Sequence, residues 1–137
     1  MLLAVLIAAC LASCSQPSGP ETYPATGTVT LDGAPIDDAV VVFYPRNTAA
    51  NSMQAAQANT DAEGRFEMRT HIEKDVYREG IPPGDYDVTV TKLEVVHDMR
   101  RQPKNLLPRK YSSARTSKLS ATVQPNNDNA FTFVLEK

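Results

Sequence analysis

Apolar and polar residues alternate with a period of two along most of this chain, and nowhere do they recur at a convincing helical spacing. The clearest case is residues 80–90, where Pro82 and Pro83 fix φ and Gly84 is free to take the positive φ of a tight turn. From that turn the chain enters a strand with Tyr86, Val88 and Val90 on an inner face and Asp85, Asp87 and Thr89 on an outer one. The same alternation predicts a first strand over residues 26–31, with Val29 and Leu31 inward, closed by the hairpin pair Asp32-Gly33. Residues 39–44 are apolar on both faces, which predicts a central strand covered on two sides and stopped by Pro45.

Further on, the pattern is more uneven. Residues 54–60 alternate weakly, and Asp61-Ala62-Glu63-Gly64 makes a turn into a short strand with Phe66 and Met68 inward. Residues 70–79 and 93–110 carry mixed charges without a period and read as irregular connections. Residues 119–123 alternate again, 125–129 form a turn, and the last strand places Phe131, Phe133 and Leu135 on one face. About seven short strands joined by turns predict an all-β, two-sheet sandwich.

The N-terminus differs from everything after it. Residues 1–13 are almost wholly apolar and end in small residues, which is too short for a membrane span of roughly 20 apolar residues and suits an export signal. No Lys or Arg precedes the run, so either the true start lies upstream of Met1 or the signal is weak. Both cysteines, Cys10 and Cys14, fall in the first fourteen residues, so the folded part has no internal disulfide. Leu11-Ala12-Ser13-Cys14 resembles the bacterial lipobox, and Ile7-Ala8-Ala9-Cys10 also fits it. Cys14 is preferred because cleavage before Cys10 leaves a shorter hydrophobic region and because a polar linker begins at Ser15. The expected organisation is a signal peptide over 1–13, a lipidated cysteine and flexible tether over 14–23, and a sandwich over 24–137. The resemblance implies an exported protein held by acyl chains at the cell membrane or outer membrane, its domain facing the periplasm or exterior.

The sandwich itself carries a second resemblance. Residues 26–36, then 60–66, then 81–90 are similar, in that order, to the motifs of the carboxypeptidase regulatory-like, transthyretin-like domain. Together with the lipobox and with Leu107-Pro108-Arg109-Lys110-Tyr111-Ser112, they look like a group of small bacterial lipoproteins. The resemblance implies a seven-stranded, Ig-like or prealbumin-like sandwich, an accessory module of exported proteins. These motifs are strand and turn residues, so they speak to fold and not to activity.

Candidate chemistry is sparse. A net charge of −2 removes any global electrostatic case for nucleic acid. The stretch containing Arg100, Arg101, Lys104, Arg109 and Lys110 is nevertheless locally basic, a candidate surface for anionic head groups or acidic polymers. Transthyretin-like hydrolases of hydroxyisourate carry a Tyr-Arg-Gly-Ser tail, whereas this chain ends Val134-Leu135-Glu136-Lys137. The only histidines, His71 and His97, fall in the irregular connections. A hydrolase would use one of them, with His97-Asp98 as a tuned base and Ser112 or Ser113 as nucleophile. Asp32, Asp37 and Asp38, or Asp61 and Glu63, supply oxygens but not the spacing of a calcium loop, and turn capping accounts for them. A carbohydrate-binding module would need an exposed aromatic row from Tyr23, Tyr77 or Tyr111. The balance favours a non-enzymatic, lipid-anchored binding or structural module, without cofactor or metal, whose partners are the membrane and an envelope protein or polysaccharide.

Overall fold

The computed structural model describes residues 19–47 and 55–137. Ten strand segments and one 3₁₀ turn follow in order: β1 (Ala25–Leu31), β2 (Ala34–Pro35), β3 (Val40–Pro45), β4 (Ala56–Asn59), β5 (Arg65–Glu67), β6 (Arg69–Glu73), β7 (Val76–Glu79), β8 (Gly84–Thr91), the 3₁₀ turn η1 (Arg109–Ser112), β9 (Leu119–Val123) and β10 (Asn129–Leu135). They form two sheets. The larger has the order β7-β6-β4-β3-β8-β9, and the smaller has β10-β1-β2 with β5 also paired to β1. The fold is therefore all-β with two packed layers, and among the described residues no helix is long and apolar enough to cross a membrane.

The alternation in the sequence becomes the core. Val29, Val41, Phe43, Tyr86, Val88, Val90, Phe133 and Leu135 are each at most 4% exposed. Phe43 from the larger sheet projects among Phe66, Phe131 and Phe133 of the smaller one, with ring centroids 5.6–6.1 Å away. Edge-to-face pairs of this kind add about 0.5–1.5 kcal/mol each beyond the area they bury. The layers are also joined by a polar clamp. The Thr60 hydroxyl accepts from the Ala39 amide at 2.8 Å and donates to the Ile36 carbonyl at 2.7 Å, tying the exit of β2 to the entry of β3.

Turns follow the residues expected to make them. Asp32 and Gly33 both have positive φ, 49° and 86°, which is the conformation of a type I′ hairpin between β1 and β2. Gly27 lies mid-strand for a different reason. A Cβ there would come within 2.5 Å of both the Phe66 ring and the Phe131 carbonyl, so the position admits no side chain.

Four readings are corrected. Residues 70–79 are not irregular: most of them form the β6–β7 hairpin at the edge of the larger sheet. Strand β3 is central in its sheet but is not covered on both sides, because Val40 and Val42 are half-buried and Tyr44 is 42% exposed. Thr89, expected on the wet face, is buried, and the register sets it opposite half-buried Val42. The count of seven strands becomes ten segments, since β2 and the β6–β7 pair add short pieces that lack a strong apolar signal.

Cys10 and Cys14 lie outside the described residues. The last part of the segment assigned as a tether is held to the fold. Tyr23 exchanges backbone hydrogen bonds with Ile81 at 2.9 and 3.0 Å, Thr22 donates to the Glu79 carbonyl at 2.8 Å, and Arg78 donates to the Pro20 carbonyl at 2.8 Å. Gly80 fits under this contact with φ +79°, where a Cβ would lie 2.2 Å from the Tyr23 carbonyl oxygen.

Candidate functional site

Strands β4 and β5 have only four and three residues. The sheets part there, leaving an open groove of about 1120 Å³. Its lining includes residues 26–28 of β1, 130–132 of β10 and 55–59 in and before β4. Small side chains line it at Ala56, Ala58 and Ala130, with Phe66 and Phe131 as its apolar part, and Gly27 lets the Phe66 ring lie against β1. Asp61, Arg65, Glu67 and Arg69 add charge, and His71 and Tyr77 complete the lining, their rings 5.1 Å apart and tilted by 54°.

The Asp61 carboxylate is structural. It accepts from the Arg65 amide at 2.9 Å, the Glu63 amide at 3.0 Å and the Arg65 Nε at 3.1 Å. The Arg65 backbone bond, followed by the guanidinium, holds its pKa below the ordinary carboxylate value. That arrangement closes the turn beside the groove and leaves Arg69 and Glu67 as exposed charges on its wall.

The basic stretch splits into two parts. Residues 92–107 form a hairpin-like excursion: Leu93 bridges Asn105, the Glu94 amide donates to the Lys104 carbonyl at 2.9 Å, and the Leu106 amide to the Lys92 carbonyl at 2.7 Å. Glu94 binds the Arg101 guanidinium and accepts from the Lys104 amide at 3.0 Å, and the Arg101 contact is the main cause of its lowered pKa. Arg100, Arg101 and Lys104 are all exposed on this excursion. Arg109 and Lys110 instead lie on η1, where Lys110 sits 5.0 Å over the Tyr111 ring. Leu107 is buried and pins the base, while Leu106 remains 55% exposed.

The histidines are not brought together. His71 is on β6 against Tyr77, and His97 is exposed on the excursion that follows β8. Among the described residues no hydrogen bond joins His97 to Asp98, whose Oδ1 accepts the Arg100 amide at 2.9 Å. Ser112 Oγ donates to the Arg109 carbonyl and Ser113 Oγ accepts from the Arg115 amide, so both hydroxyls finish local turns. The aromatic row also dissolves. Tyr111 is 6% exposed and its hydroxyl accepts the Glu136 amide at 2.9 Å, Tyr23 is half-buried, and only Tyr77, at 63%, is open to solvent. Among the described residues no three of His, Cys, Asp and Glu are grouped to hold a metal ion: Asp37 pairs with Lys92, Asp61 with Arg65, and Asp32 with Lys137.

No family model and no curated protein matches the sequence. Among solved structures, the chain is similar to a 9R-lipoxygenase from Cyanothece PCC8801 with a TM-score of 0.41 and 18% identity, over 90% of this chain and 18% of that one. A likeness of that strength carries no argument about activity.

Proposed function

We propose that this chain is a non-enzymatic, lipid-anchored module of the cell envelope. A prealbumin-like sandwich would hang from an acylated Cys14 and bind through the open groove between β4 and β5. The observation that carries the binding role is the groove itself, open to solvent and lined by Ala56, Ala58 and Ala130 together with charged and amide side chains. Such a trough suits an extended polymer or a peptide segment better than a small reactant that must be closed off from water. The anchor rests on the Leu11-Ala12-Ser13-Cys14 motif and its physical logic, since each buried methylene contributes about 0.8 kcal/mol and two or more acyl chains hold a protein stably.

A carbohydrate ligand is the second reading; with the aromatic row reduced to Tyr77, it rests on that one exposed ring beside His71, with Gln57 and Asn59 also lining the groove. A hydrolase using His71 or His97 would require a nucleophile to reach one of these rings.

The test is expression of the native gene with an alkyne-tagged fatty acid, followed by fractionation and mass spectrometry of the N-terminal peptide. Label on Cys14 and membrane recovery, both lost in Cys14→Ala, are expected. An unmodified Cys14 in a freely released protein would overturn the anchor. Native-envelope pull-down with wild type and with Ala58→Arg, which fills the groove, tests the binding face, and an unchanged set of captured partners would count against it. Ester or glycoside hydrolysis abolished by His71→Ala or His97→Ala would refute the non-enzymatic reading.

A further inference from the structure

The 92–107 excursion combines two features that a solvated loop has no reason to combine. Three of its apolar side chains face outward, although Val96 is half-buried and Leu107 buried: Val95 is 79% exposed, Met99 fully exposed, and Leu93 54%. Single exposed apolar residues are ordinary, but these three lie on one short excursion whose stem, at Leu93 and Glu94, is fixed by main-chain bonds and by the Glu94 carboxylate. The tip is fixed as well, by the Asp98 to Arg101 turn and the Asp98 carboxylate cap. Met99 is thus held out by a built turn. Beside it, Arg100 and Lys104 have exposed side chains that make no ion pair within 4 Å among the described residues, although Lys104 lies near enough to Glu94 to help lower its pKa, whereas Arg101 is bound by Glu94.

Charge is concentrated here too. Residues 92–110 contain six basic side chains (Lys92, Arg100, Arg101, Lys104, Arg109 and Lys110) against Glu94 and Asp98, a net of +4 in a chain whose total is −2. The remainder is therefore at −6, so positive charge is concentrated in this stretch of sequence, with Lys92 paired to Asp37 and Arg101 to Glu94.

We propose that this excursion is a lipid-docking element, which seats Met99 and Val95 in the interfacial layer of an anionic bilayer while Arg100 and Lys104 contact its phosphates. Flexible apolar side chains ringed by cations match a surface that is anionic outside and apolar a few ångströms beneath. A protein partner would be expected to need a large aromatic or Arg anchor that fills a pocket, whereas the exposed apolar residues of the excursion, Leu93, Val95, Met99 and Leu106, are all aliphatic. The proposal does not depend on Cys14. The excursion leaves β8 after Thr91, whereas the N-terminal segment joins the fold at Ile81, before the other end of the same strand.

The chain contains no Trp, so Met99→Trp supplies a sole reporter at the tip. With the full chain carrying this change, vesicles of phosphatidylglycerol should shift its emission to the blue, and lipids brominated near the head group should quench it. Phosphatidylcholine vesicles should do neither. Trp placed instead at Val134, exposed on β10, should not respond. Neutralising Arg100→Gln or Lys104→Gln should weaken the response about fivefold each. Because the signal comes from residue 99, it should persist in Cys14→Ser, which separates failure here from failure of the anchor. No shift, an equal shift with phosphatidylcholine, a shift that grows with protein concentration in the absence of lipid, or a response to soluble polyanions alone would each overturn the proposal.

Discussion

Replacing Thr60 with Val tests whether the two sheets are clamped by a single hydroxyl. The side chain is 6% exposed and nearly isosteric with Val, so the change preserves volume and removes only the polar atom. Two main-chain groups then lose their partner, the Ala39 amide and the Ile36 carbonyl. Ala39 is completely buried and Ile36 is 7% exposed, so water cannot easily replace what is lost. Leaving one buried polar group unsatisfied costs about 1–3 kcal/mol, so the pair should cost about 2–4 kcal/mol after the extra methyl is credited. For a domain whose total stability is about 5–15 kcal/mol, that is a large share. The expected fall in Tm is about 8–16 °C, with a matching drop in the urea midpoint and an unchanged m-value. Thr60→Ser keeps the hydroxyl and should lose only about 1 kcal/mol for its missing methyl. If Val is within about 0.5 kcal/mol of wild type, or if Ser is as damaging as Val, the hydroxyl does not hold the layers together.

Three other measurements follow from the same geometry. Gly27→Ala should destabilise by at least about 1–3 kcal/mol in urea unfolding, because its Cβ meets the Phe66 ring and the Phe131 carbonyl together, and Phe66→Leu in the same chain should recover only part of the loss since the carbonyl remains. The Asp61 pKa is lowered on folding, so its stabilising contribution is present above the ordinary carboxylate range and is lost as pH falls through the folded value; acid titration should therefore be steeper for wild type than for Asp61→Asn, the two curves converging at low pH. Burial pushes the Tyr86 phenol up to about 12, and its hydroxyl donates to the Pro82 carbonyl at 2.7 Å. Stability from that group is complete below pH 10 and is lost as pH rises toward about 12, so Tyr86→Phe should flatten the alkaline limb of the unfolding curve and remove one late phenolate from the ultraviolet titration.

Strands with one apolar face were readable from the chain because burial imposes alternation. Residues 26–31, 86–90, 119–123 and 131–135 all lie in strands, and Val29, Tyr86, Val123 and Phe133 point inward. The β6–β7 hairpin was not readable for the converse reason. It lies at a sheet edge with Arg69, His71, Val76, Tyr77 and Glu79 all exposed, so no face demands apolar residues, and its turn uses Asp75 at φ 61° in place of a glycine. The groove is equally hidden in one dimension, since it arises where β1, β4, β5 and β10 meet. Its one local signal is Gly27, a lone glycine in a strand of threonines and Val, which marks a close approach without saying to what. The basic residues of the 92–107 excursion were visible as a charge cluster. Their partition was not, because only the fold pairs Arg101 with Glu94 and leaves Arg100 and Lys104 in solvent.

Strand β1 pairs in parallel with β10 through seven registers, from Ala25 with Asn129 to Leu31 with Leu135. The earliest strand thus waits for the latest one, and until both exist Phe43 has no Phe133 to pack against and the smaller sheet lacks its longest ladder. Closing so large a loop comes at an entropic cost before any contact repays it, which makes assembly a late, all-at-once event. A nascent or threading chain of this design stays pliable until its final seven-residue strand is available, and a version cut short before Asn129 would be handled by the cell as an unfolded polymer.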